Sequence, residues 1–228
     1  MTARQIAIDG PAGAGKSTVA RMLAAQLGYL YIDTGAMYRS IALLALRRGI
    51  ALDDQVALTA LAGAVRIHLD NQADGYHVYC DGEDISAAIR QPEVGDAASP
   101  VSAVSGVRAA LVAQQQAMAA AGNVVMDGRD IGSTVLPTAD CKIFLTAPLA
   151  VRTRRRLAEL AAQGISAKYQ QIMADIAARD YRDSHRTNSP LMRAADAIYV
   201  DTGELTIEQV VEKLADLAGF SVRKDIYD

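Results

Sequence analysis

The chain has 228 residues, of which 51% are hydrophobic and 21% are charged, and its formal net charge at pH 7 is −3. This length and composition suit one sizeable core with a small inserted lobe, and the acidic balance argues against bulk binding to nucleic acid or membranes. Two cysteines and no apolar run of about 18 residues predict a soluble, cytoplasmic protein without a structural metal or membrane span. The apolar stretch soon after Met1 favours a core strand over a signal peptide.

Short apolar runs alternate along the chain with stretches of helical periodicity. This alternation predicts an α/β protein whose parallel sheet is covered by helices on both faces. The predicted strands are 5–9, 29–33, 123–127, 142–146 and 197–201, and the predicted helices are 17–27, 36–48, 107–121, 150–163 and 206–217. The last helix has a capping box formed by Thr206 and Gln209.

One region departs from this rhythm. Residues 65–69 (VRIHL) alternate between apolar and polar, turn residues follow at 70–75, and 76–79 (YHVY) give a second short run. Alternation between turns is typical of antiparallel strands with one wet face. The sequence therefore predicts an inserted antiparallel lobe at approximately residues 60–95.

A glycine-rich loop follows the first predicted strand. The spacing Gly10-x-x-x-x-Gly15-Lys16-Ser17, between a strand and a helix, matches the phosphate-binding loop of P-loop NTPases. Backbone N–H groups and the helix N-terminus would hold phosphates, Lys16 would reach the β- and γ-phosphates, and Ser17 would coordinate Mg²⁺. A tight turn alone would not need the Lys-Ser pair. The predicted ATP-binding residues are Gly10, Pro11, Ala12, Gly13, Ala14, Gly15, Lys16, Ser17 and Thr18.

Several classes of protein use such a loop. A GTPase switch would carry an Asn-Lys-x-Asp base-reading motif, and no asparagine here precedes a lysine. A motor ATPase would usually be longer or part of an assembly. A small kinase needs a second, arginine-rich anion site for its acceptor, and the rest of the chain favours that class.

Two stretches place polar residues where predicted strands end, which is where open α/β sheets bind ligands. Residues 33–39 (DTGAMYR) offer Arg39 as an anion ligand, and residues 127–132 (DGRDIG) offer Asp127 as a carboxylate directed at Mg²⁺ through a bound water. Each stretch by itself could also be an ordinary loop.

Arginines cluster twice in the C-terminal half. Residues 152–156 contain four arginines at the start of a helix, which suit a lid that closes over phosphates, although two of the four are expected to face solvent. Arg179, Asp183 and Arg186 have the i, i+4, i+7 spacing of one helix face. That face could be an intrahelical salt-bridge ladder, or Asp183 could orient the two arginines beside a phosphate or bind a sugar hydroxyl.

Taken together, GPAGAGKST at 10–18, DTGAMYR at 33–39, Ser99 with Arg108, DGRDIG at 127–132 and RDYRDSHR at 179–186 resemble the bacterial cytidylate kinases. The resemblance covers essentially the whole chain, and the inserted lobe resembles the monophosphate-binding domain of the long bacterial form. It implies Mg²⁺-dependent phosphoryl transfer from ATP to CMP or dCMP by a monomer that binds no nucleic acid or membrane. A kinase for another monophosphate, such as UMP, and an ATP-dependent switch protein are the alternatives.

The resemblance also implies a role for individual residues. The acceptor-binding set comprises Thr34, Arg108, Asp130 and Arg186 around the pyrimidine, Ser99, Arg179 and Asp183 at the ribose, and Arg39 and Arg129 at the phosphate. The implied catalytic residues are Lys16, Arg129, Arg154, Arg155 and Arg179, of which Arg154 and Arg155 belong to the lid. The chain is expected to be a single P-loop kinase domain (1–228) in which residues 150–186 form the lid and the following helix.

Overall fold

The computed structural model describes residues 4–72, 75–162 and 164–219. The strands are β1 (Gln5–Asp9), β2 (Leu30–Asp33), β3 (Ile67–Gln72), β4 (Gly75–Cys80), β5 (Glu83–Asp84), β6 (Val124–Gly128), β7 (Cys141–Thr146) and β8 (Ile198–Asp201). The helices are α1 (Lys16–Leu27), α2 (Thr34–Arg47), α3 (Gln55–Ala64), α4 (Pro92–Val101), α5 (Ser105–Ala120), α6 (Leu149–Ala162), α7 (Tyr169–His185) and α8 (Ile207–Leu217). None of these helices is both long and apolar enough to cross a membrane.

A five-stranded parallel sheet has the strand order β2-β6-β1-β7-β8. Its strands are continuous apolar runs because both faces of the sheet are covered by helices and side chains pointing either way must be apolar. Ile6, Ala7 and Ile8 of β1 are all buried, and β1 runs parallel to β7 with Ile6 opposite Cys141. The predicted α/β fold with a parallel sheet flanked by helices is confirmed.

A second sheet has three strands in the order β3-β4-β5, and both of its pairings are antiparallel. Its alternation follows the expected rule, since Ile67 and Leu69 are buried while His68 between them is exposed. The small antiparallel sheet predicted from this alternation is confirmed. Residues 73–74, part of the predicted turn, lie outside the described ranges.

The described chain divides into two compact units. Residues 30–124 form the first, called here the insert unit, which contains the antiparallel sheet and α2 to α5. Residues 4–29 and 125–219 form the second, called here the phosphate-loop unit, which contains α1, α6, α7 and α8. The lobe bounds of approximately 60–95 stay a prediction, and these residues all lie within the insert unit.

Side chains fix several helix starts. Asp33 precedes α2, and its carboxylate accepts a hydrogen bond from the backbone N–H of Ala36. Thr206 and Gln209 form the predicted capping box at the start of α8. Such caps satisfy backbone N–H groups that lack partners within the helix. The end of the predicted helix 150–163 falls on residue 163, which lies outside the described residues.

Candidate active site

The phosphate loop runs from β1 to α1, with positive φ angles at Gly10, Gly13 and Gly15. A Cβ at Gly10 would lie 1.9 Å from the carbonyl oxygen of Leu145, so only glycine fits there. A Cβ added at Gly13 would lie 3.2 Å from the Cβ of Arg152. The backbone can turn this tightly only because these positions carry no side chain.

Lys16 is the first residue of α1, and its Nζ donates a hydrogen bond to the carbonyl of Pro11 at 2.8 Å. The pKa of Lys16 is lowered to about 7, mainly by burial and also by the positive charges of Arg129 and Arg179, while the charge of Asp127 opposes the fall. The side chains of Lys16, Arg129 and Arg179 therefore lie close enough for their positive charges to repel one another. Bound phosphates would supply the negative charge that favours a protonated Lys16.

Ser17 and Asp127 form a polar pair beside the loop. The Ser17 hydroxyl donates to the carboxylate of Asp127 at 2.9 Å, and Asp127 is buried near the end of β6. Hydroxyl and carboxylate oxygens are the ligands that Mg²⁺ prefers, alongside waters and substrate phosphates. Within the described ranges, no cluster of three His, Cys, Asp or Glu side chains could hold a metal by itself. The oxygen pair therefore fits a Mg²⁺ ion shared with a nucleotide.

Asp9, at the end of β1, is buried and holds the loop that follows β6. Its two carboxylate oxygens accept hydrogen bonds from the N–H groups of Ile131 and Gly132, each at 2.8 Å. Burial raises the pKa of Asp9 to about 6, although these two hydrogen bonds oppose the rise. Asp9 thereby fixes the π-helical turn Ile131–Val135, which begins directly after Asp130.

Two ion pairs lie just after β6. The Nε of Arg129 donates to the carboxylate of Asp183 at 2.8 Å, and Arg186 donates to Asp130 at 3.1 Å. The second pair is nearly inaccessible to water, with side chains 9% and 5% exposed. It places a hydrogen-bond acceptor and a hydrogen-bond donor side by side in fixed positions.

The predicted helical face of Arg179, Asp183 and Arg186 is wrong in one respect. Helix α7 ends at His185, and Arg186 has an extended backbone with φ −65° and ψ 142°. The reason is a local turn, in which the Nε of Arg186 donates to the carbonyl of Ser189 at 2.6 Å. Arg186 therefore leaves the helix face and pairs with Asp130, while Asp183 pairs with Arg129.

In the insert unit, the start of α2 holds Arg39. The Asp33 carboxylate accepts from Arg39 at 2.9 Å as well as capping the helix. The backbone N–H of Asp33 donates to the Tyr76 hydroxyl at 3.1 Å, which links β4 to this position. Thr34, the first residue of α2, is buried.

Arg108 is a buried arginine on α5. Its guanidinium lies over the ring of Tyr38, 5.5 Å from the centroid, and one of its nitrogens donates to the carbonyl of Ser102 at 3.4 Å. Ser99 lies on α4 in the same unit, and its carbonyl accepts from the Ser102 hydroxyl. The ring of Tyr38 thus packs against the guanidinium of Arg108.

The arginines of α6 divide into two kinds. Arg152 is buried, and Arg155 donates to the hydroxyl of Thr202 at 2.9 Å and to its carbonyl at 2.6 Å. Arg154 and Arg156 are exposed, as expected for two of the four, and Arg154 makes no hydrogen bond or ion pair to any described residue. Helical phase explains the division, because residues three apart lie on one face.

The sequence profile of the cytidylate kinase family matches residues 6–219 of this chain. The chain belongs to the cytidylate kinase family. Cytidylate kinases from Pelotomaculum thermopropionicum and Desulfitobacterium hafniense are 51% and 50% identical to it. The first alignment covers 92% of this chain and 93% of the relative, and the second covers 93% and 91%.

A solved structure supports the fold. The chain is similar to an uncharacterized protein from Eubacterium ventriosum, with a TM-score of 0.53 and 14% identity. The match covers 96% of this chain and 99% of the other. At this identity the likeness concerns the fold alone.

The predicted site residues are divided between the two units of the chain. The phosphate loop, Lys16, Ser17, Asp127 and the residues after β6 lie together in the phosphate-loop unit. Thr34, Arg39, Ser99 and Arg108 belong to the insert unit. Their roles toward ATP and the monophosphate stay predictions.

Three residues around the phosphate loop were missing from the predicted set: Asp9, Arg152 and Asp180. Asp9 could have been found as a carboxylate that ends a buried strand immediately before the loop. Arg152 could have been found from its three-residue spacing to Arg155. Asp180, which accepts from the backbone N–H of Ala12, could have been found because it lies inside the stretch 179–186 (RDYRDSHR).

Proposed function

We propose that this chain transfers the γ-phosphoryl group of ATP to CMP or dCMP, giving ADP and the corresponding diphosphate. One observation carries the proposal. Asp127 accepts from Ser17 of the phosphate loop, and three residues later the buried carboxylate of Asp130 pairs with Arg186. A nucleotide-phosphate site and a selective donor–acceptor pair therefore adjoin the end of one strand.

On the donor side, the loop N–H groups and Lys16 would hold the phosphates of ATP. Ser17 would bind Mg²⁺ directly and Asp127 would bind it through water, and the ion would neutralise charge on the transferring group. Lys16, Arg129 and Arg179 would stabilise the negative charge on the equatorial oxygens. A phosphate oxygen of the acceptor is already nucleophilic, so these residues position and neutralise, and none has to remove a proton.

On the acceptor side, the fixed carboxylate of Asp130 suits the 4-amino group of cytosine. Arg108 would donate to the acceptors N3 and O2, and Arg186 holds Asp130 in place. Uracil presents an oxygen at position 4 and an N–H at position 3, which reverses both contacts. Each unpaired buried group costs about 1–3 kcal/mol, so UMP would be a poor substrate.

The remaining acceptor contacts follow the family resemblance. Thr34 would contact the base, Ser99 and Asp183 the ribose with help from Arg179, and Arg39 and Arg129 the phosphate. Asp33 and Asp183 already orient Arg39 and Arg129 through ion pairs at 2.9 and 2.8 Å. A guanidinium held in this way needs little reorganisation when a phosphate binds.

The proposal extends to the setting of the reaction. ATP and CMP or dCMP are the small-molecule partners, and the chain acts as a monomer in the cytoplasm, with Arg155 and the exposed Arg154 on the predicted lid. Light scattering on the purified protein tests the monomer. The family match does not favour the alternatives of a UMP kinase or an ATP-dependent switch.

The test is ADP release from ATP and Mg²⁺ with CMP, dCMP, UMP, AMP or no acceptor. The wild type should release ADP rapidly with CMP and dCMP and slowly with the others. Asp130→Asn should lower kcat/KM for CMP by about 10–100-fold. It should also reduce the ratio of kcat/KM for CMP to kcat/KM for UMP, because an amide can also donate a hydrogen bond to the oxygen of uracil.

Asp216→Asn is the matched control, because Asp216 is an exposed aspartate on α8. Its kinetics should equal those of the wild type. ADP release that is independent of the acceptor would contradict the proposed reaction. Unchanged discrimination in Asp130→Asn would contradict only the base-reading role of Asp130.

A further inference from the structure

The peptide groups on both sides of Ala12 in the phosphate loop are held by two side chains from distant helices. The Asp180 carboxylate, on α7, accepts from the N–H of Ala12 at 3.0 Å. Arg152, on α6, donates to the carbonyl of Ala12 at 2.9 Å. The same nitrogen of Arg152 donates to the second oxygen of Asp180, which joins the two side chains in an ion pair. Ala12, Arg152 and Asp180 form what we call the Ala12 clamp.

Arg152 is also anchored at the base of its own helix. Its Nε donates to the carbonyl of Ala147 at 2.9 Å, just before α6 begins. The side chain is only 10% exposed, and its Cβ lies directly behind Gly13 of the loop. A buried guanidinium with three different acceptors has little freedom to move, so the clamp joins the loop rigidly to α6.

The α7 side of the clamp adjoins the cationic region around Lys16. Arg179 immediately precedes Asp180, and its positive charge contributes to lowering the pKa of Lys16. The hydrogen bond that Asp180 accepts from the loop therefore also fixes how α7 meets the loop. Displacement of α7 would move Arg179 relative to Lys16.

We propose that Arg152 and Asp180 are positioning residues that keep the phosphate loop, α6 and α7 in the arrangement that binds ATP. The inference rests on the proposed function in taking ATP as the ligand of the loop. Neither residue needs to touch the transferring group. Their effect is to preorganise the loop, so that little of the ATP binding energy is used to order it.

Three substitutions separate the parts of the clamp. Asp180→Ala removes both the acceptor for Ala12 and the partner of Arg152, and should weaken ATP binding about tenfold. Asp180→Asn keeps an oxygen for the Ala12 N–H but removes the charge, so its loss should be smaller, about threefold. Arg152→Lys keeps the charge without the planar fork and should resemble Asp180→Asn.

Asp175→Ala is the matched control, because Asp175 lies on the exposed side of α7 and pairs only with Gln171 among the described residues. The full-length protein is titrated with ATP and Mg²⁺ by calorimetry, without any monophosphate. Hydrogen exchange of the Ala12 amide is followed in parallel, and it should accelerate about tenfold in Asp180→Ala but not in Asp175→Ala. Steady-state kinetics should show a raised KM for ATP and an unchanged KM for CMP.

The single variants Arg152→Ala and Asp180→Ala are compared with the double variant. The double variant should bind ATP no more weakly than the weaker-binding of the two, because the two side chains act as one unit. Equal ATP affinity and equal Ala12 exchange in Asp180→Ala and Asp175→Ala would overturn the clamp. The clamp would also be overturned if Asp180→Ala lost affinity for ATP and CMP to the same extent and had a lower melting temperature, because general destabilisation would then explain the loss. If the wild type bound ATP but did not phosphorylate CMP, the proposed function would fail while this test of the clamp still held.

Discussion

The two units of this protein use charge in different ways. In the phosphate-loop unit, the ion pair between Arg186 and Asp130 is almost fully buried, with side chains 9% and 5% exposed. In the insert unit, the ion pair between Arg47 and Glu83 is open to water, with side chains 42% and 57% exposed. Both pairs have short distances, 3.1 and 2.8 Å, so distance alone does not distinguish them.

Burial determines what each kind of pair can do. Removing one partner of a buried pair leaves a charge in a poorly solvated site, which is strongly destabilising. When one partner of an exposed pair is removed, water solvates the remaining charge, and salt already screens such a pair. Buried charges therefore hold fixed positions, as a phosphoryl-transfer site requires. Two buried lysines, Lys16 and Lys142, should nevertheless differ in effect, because they lie in different polar surroundings.

Lys16→Met should have the largest effect, a loss in kcat/KM on the order of 10³, because Lys16 is expected to stabilise the transferring phosphoryl group. Its melting temperature should not fall, since burial lowers the pKa of Lys16 to about 7 and so disfavours the charged form in the free protein. Turnover with CMP and thermal unfolding of the same samples are the measurements.

Lys142→Met is the matched control, because Lys142 on β7 is equally buried but donates to Asp196 and to the carbonyl of Pro137. It should lose about 1 kcal/mol of stability and keep its turnover within about threefold. If both variants lost turnover to the same extent, the loss would follow from removing any buried lysine of this unit, and Lys16 would have no special role in catalysis.

Asp9→Asn should have the next largest effect, on how stability changes with pH. Burial raises the pKa of Asp9 from 3.8 to about 6, and a rise of this size corresponds to about 3 kcal/mol. The folded protein keeps a proton between about pH 4 and 6 that the unfolded chain has released. The free energy of unfolding of the wild type should therefore fall with rising pH across this window, relative to that of Asp9→Asn.

The measurement is denaturant unfolding of both proteins at a series of pH values. Their difference should change by up to about 3 kcal/mol between pH 4 and 7 and stay constant at higher pH. Parallel curves would mean that Asp9 titrates alike in the folded and unfolded states, and its burial would then carry no electrostatic cost.

Local sequence accounts for most of the fold. The strand 5–9 has its predicted bounds because a continuous apolar run between polar residues has one stable place, inside a parallel sheet. The end of a helix is harder to predict from sequence, as Arg186 shows. Arg186 leaves α7 because its side chain donates to the carbonyl of Ser189 in a local turn. The i, i+4, i+7 spacing of Arg179, Asp183 and Arg186 gives no indication that the helix ends before Arg186.

The site could be predicted as far as its chemistry lies in contiguous motifs. Ser17 and Asp127 were each predicted to face Mg²⁺ because a phosphate loop and a strand-ending aspartate each have a recognisable pattern, and in the structure the two side chains are hydrogen-bonded. The Ala12 clamp was not predicted, because its partners are a backbone peptide and two residues 28 positions apart. Backbone acceptors have no sequence signature. Which arginine of α6 contacts the loop depends on which face of the helix is turned toward the loop, and the sequence does not show this.

The smallest effect is expected at the exposed pair of the insert unit. Arg47 on α2 and Glu83 on β5 should have a coupling energy of about 0.5 kcal/mol or less in a double-mutant cycle, and the coupling should shrink further at high salt. Denaturant unfolding of Arg47→Ala, Glu83→Ala and the double variant at two salt concentrations measures it. A coupling well above about 1 kcal/mol that salt does not reduce would mean that this pair fastens the antiparallel sheet to α2. Exposure would then be a poor guide to the importance of charge in this protein, and the distinction between its two units would have to rest on geometry alone.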